Sequence, residues 1–341
     1  MKDYQILFDN IHEFVKVKTF SKHEQLVNGI IATIESGYAK KGDRLPSINK
    51  MVEELGFARK TIVRAYEEMK SRGLVESKSL KGYYIANTNT KLKLKLAIIL
   101  YAFHPIQEDF YNAFRKELGK KYQIDVFFHH NNQEVFLNIL STIKGKYGMY
   151  VIAPIPSKEM PLLLSDIPKE RLLVVDRFIE LPDEYSYIAQ EFEDSTYQQL
   201  VDMLPAIKKY RKFILFFQEA SDHPEGIKNA FSRFVDDYNI DGSIEKKYNR
   251  GSVRNKTAYF LITDSYLWEV LRDCRNAEYV IGKDVGILSH NDNAVKEMIF
   301  GGITTISTDF KQMGIEAAAF VKYGARTHRI IPSKTIRRNS L

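Results

Sequence analysis

Apolar and polar positions follow one rhythm over the first ninety residues and another over the rest. In EQLVNGIIATIESG, residues 24–37, Leu26, Ile30, Ile31 and Ile34 fall on one helix face, and Gly37 supplies a natural end. After the turn KKGDRLP, the stretch from Ser47 to Leu55 opens on a serine cap and closes at Gly56, which predicts a second, short helix. Ile62, Ala65, Tyr66 and Met69 mark the apolar face of a third helix, which carries Arg59, Lys60 and Arg64 at or near its start and stops at Gly73. Two short helices joined by a tight turn containing glycine predict a helix-turn-helix, with the apolar face of the second packed inward and its cations turned to DNA. In LVESKSLKGYYIAN, Leu74, Val75, Tyr83, Tyr84 and Ile85 suit two short strands around a polar tip from Ser77 to Gly82. This predicts a hairpin wing with Lys78 and Lys81 at its tip, where Gly82 lets the backbone come close to a phosphate. The first twenty residues carry no clear assignment.

From Leu96 short apolar runs alternate with amphipathic stretches. LAIILY (96–101), IDVFFH (124–129), MYVIA (149–153), LLVVD (172–176), KFILFF (212–217), AYFLIT (258–263) and DVGILS (284–289) predict strands. Between them FYNAFRKELGKK, EVFLNILSTIKG, STYQQLVDMLPAIKKY, GIKNAFSRFVDDY, SYLWEVLRDCR and NAVKEMIFGG have helical spacing. That alternation predicts an α/β fold with buried parallel sheet covered on both faces, and so many units predict two linked lobes. Residues 87–95, NTNTKLKLK, are polar and aperiodic. They read as a linker, dividing the chain into a DNA-binding domain over 1–86 and an effector-binding and dimerisation domain over 96–341.

Composition adds little until charge is located. The chain has 341 residues, 44% hydrophobic and 27% charged, with a net charge of +7. Residues 41–95 hold 13 Lys and Arg against 6 Asp and Glu, while the remaining 37 of each sign cancel, so one small segment holds the whole excess. Such a patch suits a polyanion, since cations that neutralise phosphates release counterions. No stretch approaches the roughly 18 apolar residues of a membrane span. MKDYQILFDNIHEF lacks the features of a secretion signal, and the single cysteine, Cys274, forms no internal disulfide. A cytoplasmic protein without membrane contact is expected.

Ligands of open α/β sheets sit beyond the C-terminal ends of strands. The polar residues there are His104 and Gln107 to Phe110, Asp176 with Arg177, His223 with Glu225, Asp264, and His290 to Asn293. Asp264 also suits a helix cap. No G-x-x-x-x-G-K-S/T loop, G-x-S-x-G elbow or H-E-x-x-H occurs, and His129 with His130 lacks further ligands at metal spacing, so neither catalytic residues nor a metal or cofactor is expected.

The runs GDRLPS (42–47), LGFARKT (55–61), VRAY (63–66), GLV (73–75) and KGY (81–83) resemble the winged helix-turn-helix domain of GntR-family transcription regulators over about residues 20–86. The resemblance implies that Arg44, at the start of the second helix, and Arg59 and Thr61, on the third, contact operator DNA, with the Gly82 tip in the adjoining groove. Ser47, Lys60, Arg64 and Lys81 complete the candidate DNA-binding set. Many members place an arginine two residues after the threonine; here Val63 stands there and Arg64 follows. From about 96 to 330, LVVDR (173–177), HPEGIKNAF (223–231), KDVGILSHND (283–292), ITTISTD (303–309) and MGIEAA (313–318) resemble the periplasmic-binding-protein-like effector domain of LacI-type repressors. This implies two lobes that close by hinge motion around a small ligand, often a monosaccharide. His223 replaces an arginine of the relatives, and Ser289, His290, Asn291 and Asp292 replace their Gly-Phe-Asp. The candidate ligand-binding set is Phe103, His104, Asp109, Phe110, Asp176, Arg177, His223, Asp264, Asn291 and Asp292. The expected protein is a homodimeric, DNA-binding repressor released by a monosaccharide. A regulator answering to a phosphorylated sugar or nucleoside, and a sugar-processing enzyme with an accessory DNA-binding head, are the alternatives.

Overall fold

The unassigned N-terminal segment forms a helix, α1 (Gln5–Val15), because Leu7, Phe8 and Ile11 make one buried stripe. The structure, a computed structural model, describes residues 4–16, 21–79, 81–88, 90, 94–119, 122–144, 146–219, 221 and 223–341. Parts of the predicted linker (89 and 91–93), Leu80 of the hairpin tip, and the predicted helix ends at 120–121 and 145 lie outside the described residues. Helix α2 (Lys22–Glu35) starts at a reciprocal capping box between Ser21 and Glu24. It packs on α1 at Gly29, where an added Cβ would come within 2.4 Å of Ile11 Cγ1. Helix α3 (Ile48–Leu55) is capped by Ser47 and stopped by Gly56 in the left-handed region, and α4 (Arg59–Ser71) follows after three residues. Strands β1 (Val75–Lys78) and β2 (Gly82–Ile85) pair antiparallel with Lys78 opposite Gly82, so the hairpin wing is present. One core joins these elements, with Ile30, Met51, Ile62, Tyr66, Met69 and Ile85 fully buried.

Tyr66 anchors α4: its hydroxyl donates to the Pro46 carbonyl at 2.8 Å inside that core. Tyr66→Phe leaves the carbonyl without its donor and is expected to destabilise the head by about 1 kcal/mol, read as a lower denaturant midpoint at unchanged slope.

The alternation beyond residue 94 is realised as β3 (Leu94–Leu100), α5 (Pro105–Leu118), β4 (Tyr122–Phe128), α6 (Gln133–Ile143), β5 (Met149–Ile152), α7 (Met160–Ser165), β6 (Leu172–Asp176) and β7 (Ser186–Glu191). There follow α8 (Asp194–Asp202), α9 (Leu204–Ile207), β8 (Lys212–Phe216), α10 (Glu225–Asp237), β9 (Gly242–Glu245), β10 (Thr257–Leu261), α11 (Asp264–Asn276) and β11 (Val285–His290). The chain finishes with α12 (Ala294–Met298), β12 (Thr304–Ser307), α13 (Phe310–Tyr323), β13 (His328–Pro332) and β14 (Lys334–Ile336). Two six-stranded sheets result, in the orders β13-β7-β6-β5-β3-β4 and β14-β12-β11-β10-β8-β9.

All seven predicted strands form. Strands β7, β9, β12, β13 and β14 were not anticipated. Strands β9, β13 and β14 lie at or near sheet edges and keep exposed or half-exposed positions, so the run of apolar residues that betrays a buried strand is missing from them. Strand β14 departs from the parallel pairing, running antiparallel to β12. It arrives by a short connection from β13 rather than by a crossover helix.

By internal packing the chain falls into two compact units. One comprises residues 1–101, 118–173 and 181–185, and the other 102–117, 174–180 and 186–341. In the first, β3 pairs in parallel with β4 and β5, and Glu67 of α4 forms an ion pair with Arg171. In the second, β8, β10 and β11 run parallel over a core of Phe213, Leu215, Phe231, Phe260 and Leu288.

Candidate nucleic-acid interface and ligand site

Helix α4 begins without a capping side chain and without an acid in its first turn, so its exposed amide end is positive and unopposed. Arg59, Lys60 and Arg64 are exposed there, while Thr61 is half-buried. The Arg59 guanidinium donates to the Asn49 side chain of α3, which steadies it over the turn between the two helices. Arg44 needs a correction. It lies before α3 rather than in it, forms a bridge with Tyr84 of the wing, and has its guanidinium 3.5 Å from where a Gly82 Cβ would stand. Arg44 therefore belongs with the wing, because the segment before α3 adds a short edge to the hairpin. Ser47 is engaged as the α3 cap, its Oγ accepting from the Lys50 amide at 3.2 Å. At the wing, Lys81 is exposed and Lys78 lies 4.7 Å over the Tyr84 ring.

The second unit gathers polar groups where β8, β10 and β11 end. His223 Nδ1 accepts from the Gln218 amide at 3.1 Å, which places the ring proton on Nε2, 2.8 Å from Thr263 Oγ1. Thr263 precedes α11, and Asp264 is its first residue rather than its cap. The Asp264 carboxylate instead meets the Lys296 ammonium at 2.6 Å. Lys296 is 1% exposed and also donates to the carbonyls of His290 (2.9 Å) and Asn291 (2.8 Å). Burial pulls its pKa below the usual lysine range, and Asp264 pushes back.

His290 is 5% exposed, and burial, then the charges of Lys296 and Arg177, push its pKa down to about 3. The ring is therefore neutral at physiological pH. Asn291 adopts φ +60, and its amide donates to the Ile306 carbonyl at 2.8 Å. His290 Nδ1 and Asn291 Oδ1 are both buried without a hydrogen-bond partner.

At the end of β6, Asp176 (φ +69) accepts from Gln190 Nε2 and lies 3.9 Å from Arg177 Nε. The Arg177 guanidinium stands 4.9 Å over the Phe192 ring, which is itself 6.4 Å from His290. Gln190 Oε1 is a further buried atom without a partner.

The remaining candidates separate. Phe110 is 1% exposed and stacks on Phe114, with Gly314 closing over its backbone, so it is a core residue. Asp109 pairs with Lys311 at 3.6 Å. His104 precedes α5 and gives its carbonyl to the Gln107 and Glu108 amides, and Phe103 is 79% exposed. Asp292 is taken up by Arg338, which binds both carboxylate oxygens at 2.7 and 2.9 Å, and by Thr305 at 3.0 Å. Its side chain is thus committed to the C-terminal segment rather than left for a ligand.

Sequence reasoning missed Gln190 and Lys296. Gln190 lies on the unanticipated β7, and Lys296 occupies a helix whose spacing reads as a solvated lysine face. Among the described residues no group of His, Cys, Asp and Glu is placed to hold a metal ion, and no helix is long and apolar enough to cross a membrane.

Comparison with known proteins matches two separate stretches of the chain. Residues 22–85 match the gntR family of bacterial regulatory proteins, and residues 206–340 match the periplasmic binding protein-like domain. A protein named "Probable rhizopine catabolism regulatory protein MocR" of Rhizobium meliloti is 36% identical over 64 residues, which are 19% of this chain and 13% of that protein. An HTH-type transcriptional regulator of Mycobacterium tuberculosis is 33% identical over 63 residues, 18% of this chain and 52% of that protein. These matches thus span well under two thirds of the relatives' own length. Among solved structures, a LacI family transcriptional regulator from Lactobacillus casei with bound sucrose superposes with a TM-score of 0.62 at 14% identity, covering 72% of this chain and 99% of that one. The trehalose repressor from Escherichia coli gives 0.59 at 12% identity, covering 71% and 99%. At such identities the likeness concerns the fold alone. The chain thus joins a winged helix-turn-helix domain of the gntR family to a two-lobed periplasmic-binding-protein-like domain of the kind seen in LacI-family regulators.

Proposed function

We propose that the protein is a transcription regulator, with a DNA-binding head over residues 1–86, a linker over 87–95, and an effector-binding and dimerisation domain over 96–341. One observation carries the DNA part: an exposed helix start bearing Arg59, Lys60 and Arg64, free of acids in its first turn, on a scaffold whose apolar face is fully packed. A two-fold dimer would offer two copies of α4 to the half-sites of a near-palindromic operator. Arg59 reads bases from the helix start, and Lys81 with Arg44 tracks phosphate from the wing. Lys81→Ala is expected to weaken binding to every duplex alike and to lower the salt slope by about 0.9, the share of a single neutralised phosphate. Fluorescence anisotropy on selected and random duplexes across salt concentrations checks this. A loss confined to one sequence would reassign Lys81 to base reading.

The effector is an uncharged monosaccharide bound at the strand ends of the second unit and contacted by His223, Arg177 and Asn291. A regulator of the same fold with bound sucrose supports a neutral sugar as the ligand class, as does the use of local charge: Lys296 is held by Asp264, and Asp292 by Arg338, while neutral His290 and Asn291 keep unpartnered atoms. Sugar binding releases DNA by favouring one hinge state, which requires different affinities for the two states, since equal binding shifts nothing. A thermal-shift panel of neutral pentoses and hexoses beside their phosphates tests the reading. A rise in apparent stability with a neutral sugar is expected. A rise with phosphorylated sugars alone would overturn the choice of ligand.

A further inference from the structure

The Lys296 ammonium holds three protons, and all three are committed: one to the Asp264 carboxylate, two to the carbonyls of His290 and Asn291. A lysine on a short, otherwise exposed helix would ordinarily keep its charge in water. Here α12 starts at Asn293, which accepts from the Lys296 amide at 3.0 Å, and that start turns the side chain inward under the end of β11. Burying an ammonium is costly unless its donors are matched, and one carboxylate with two carbonyls matches them fully.

These bonds act on the backbone of two residues. Asn291 is at φ +60, out of line with the strand it ends, and its amide is held from the other side by the Ile306 carbonyl. With both carbonyls pulled to one ammonium, the His290 and Asn291 backbones are fixed on two sides. Their side chains end in His290 Nδ1 and Asn291 Oδ1, buried and without partners, and buried polar atoms in native proteins are otherwise nearly always satisfied.

We propose that Lys296, backed by Asp264, is a positioning residue for effector recognition: it fixes the turn at the end of β11 so that neutral polar atoms of His290 and Asn291 are presented to the hydroxyl groups of the ligand. This rests on the reading of that region as the effector site. The charge stays within the protein scaffold, and recognition is left to neutral hydrogen-bonding atoms.

The test uses the full-length protein with Lys296→Met, Asp264→Asn and the double replacement, which removes both charges together and keeps the question open should a single variant fail to fold. Selective 15N labelling of His and Asn reports the His290 ring and the Asn291 amides with no ligand added. Calorimetry with neutral aldopentoses and aldohexoses reports affinity, and Tyr66→Phe in the head serves as a control that is destabilised without touching the site. In the double variant the His290 and Asn291 signals are expected to move, and affinity for whichever sugars bind the native protein to fall by about tenfold or more, as the control keeps native affinity. A folded double variant with native affinity, or with His290 and Asn291 signals unmoved, overturns the proposal. If no sugar binds the native protein, the effector reading fails separately: moved signals then still uphold Lys296 as the residue that sets this turn, and unmoved signals refute it.

Discussion

A protein with Arg59, Lys60 and Arg64 all replaced by alanine is expected to keep its fold and lose its affinity for duplex DNA. Alanine is the best helix former, and the buried face of α4, made by Ile62, Ala65, Tyr66 and Met69, is untouched, so the helix persists. Within the head the exposed Arg59–Asn49 bond is given up, and exposed polar pairs contribute little to stability. Binding is different. Removing a base-reading arginine at position 59 costs roughly 1–3 kcal/mol at a preferred site, and each phosphate no longer neutralised lowers the salt slope by about 0.9. The triple variant should therefore bind selected and random duplexes almost equally weakly, with a much flatter dependence on salt, read by anisotropy beside a circular dichroism spectrum that matches the native protein. A native salt slope in the triple variant would remove α4 from the interface.

Arg338→Ala should be the most damaging single replacement at the C-terminal segment. Arg338 grips both oxygens of Asp292, and the residues around it are woven into the second unit: Thr304 exchanges hydrogen bonds with the Arg338 backbone, and Ser340 bonds Ile287 and Thr304. Removing the guanidinium strands a largely buried carboxylate, and the expected cost is about 3 kcal/mol, the low end for such pairs because both partners keep some solvent. The effect depends on pH. Burial alone would raise the Asp292 pKa, but the hydrogen bonds from Arg338 and Thr305 outweigh it and hold the carboxyl below its ordinary value. A carboxylate with a depressed folded pKa contributes stability that is complete above the unfolded value of about 3.9 and is lost as pH falls through the folded value. Without Arg338 that contribution goes, so the gap in stability between native and variant protein should be widest near neutrality and narrow below about pH 4. Urea midpoints from pH 7 to pH 3 measure it, and a gap that stays constant would show that Asp292 does not depend on Arg338.

Much of the head was legible because its signals are local. Ser21 with Glu24, Ser47, Gly56 and Gly73 act on backbone groups within four residues, and the stripe Ile62, Ala65, Tyr66 and Met69 needs only helical spacing to define a buried face. Helix α1 escaped notice although its stripe of Leu7, Phe8 and Ile11 is as regular, since nothing in it recommends a partner until Gly29 opens α2 to close approach. Strands β3, β5, β6, β8, β10 and β11 announced themselves as apolar runs. Strand β7 did not, because SYIAQE mixes polar residues into a mostly buried strand, and one of them is Gln190.

The polar groups at the strand ends could be named from position in the chain, but their duties could not. Asp176, Asp264 and Asp292 look alike as acids after apolar runs. The fold gives the first to Gln190, the second to a buried lysine, and the third to an arginine 46 positions away. His223 likewise takes its tautomer from the Gln218 amide and finds the partner for its other ring nitrogen in Thr263, 40 positions on. Chain order alone therefore settled the helix-turn-helix, the seven strands with apolar runs and the alternating α/β plan, because spacing and caps act within a few residues. Which charges are neutralised, which atoms remain unpartnered, and where Lys296 points were decided by the folded structure, since burial and pairing depend on neighbours brought together from distant strands.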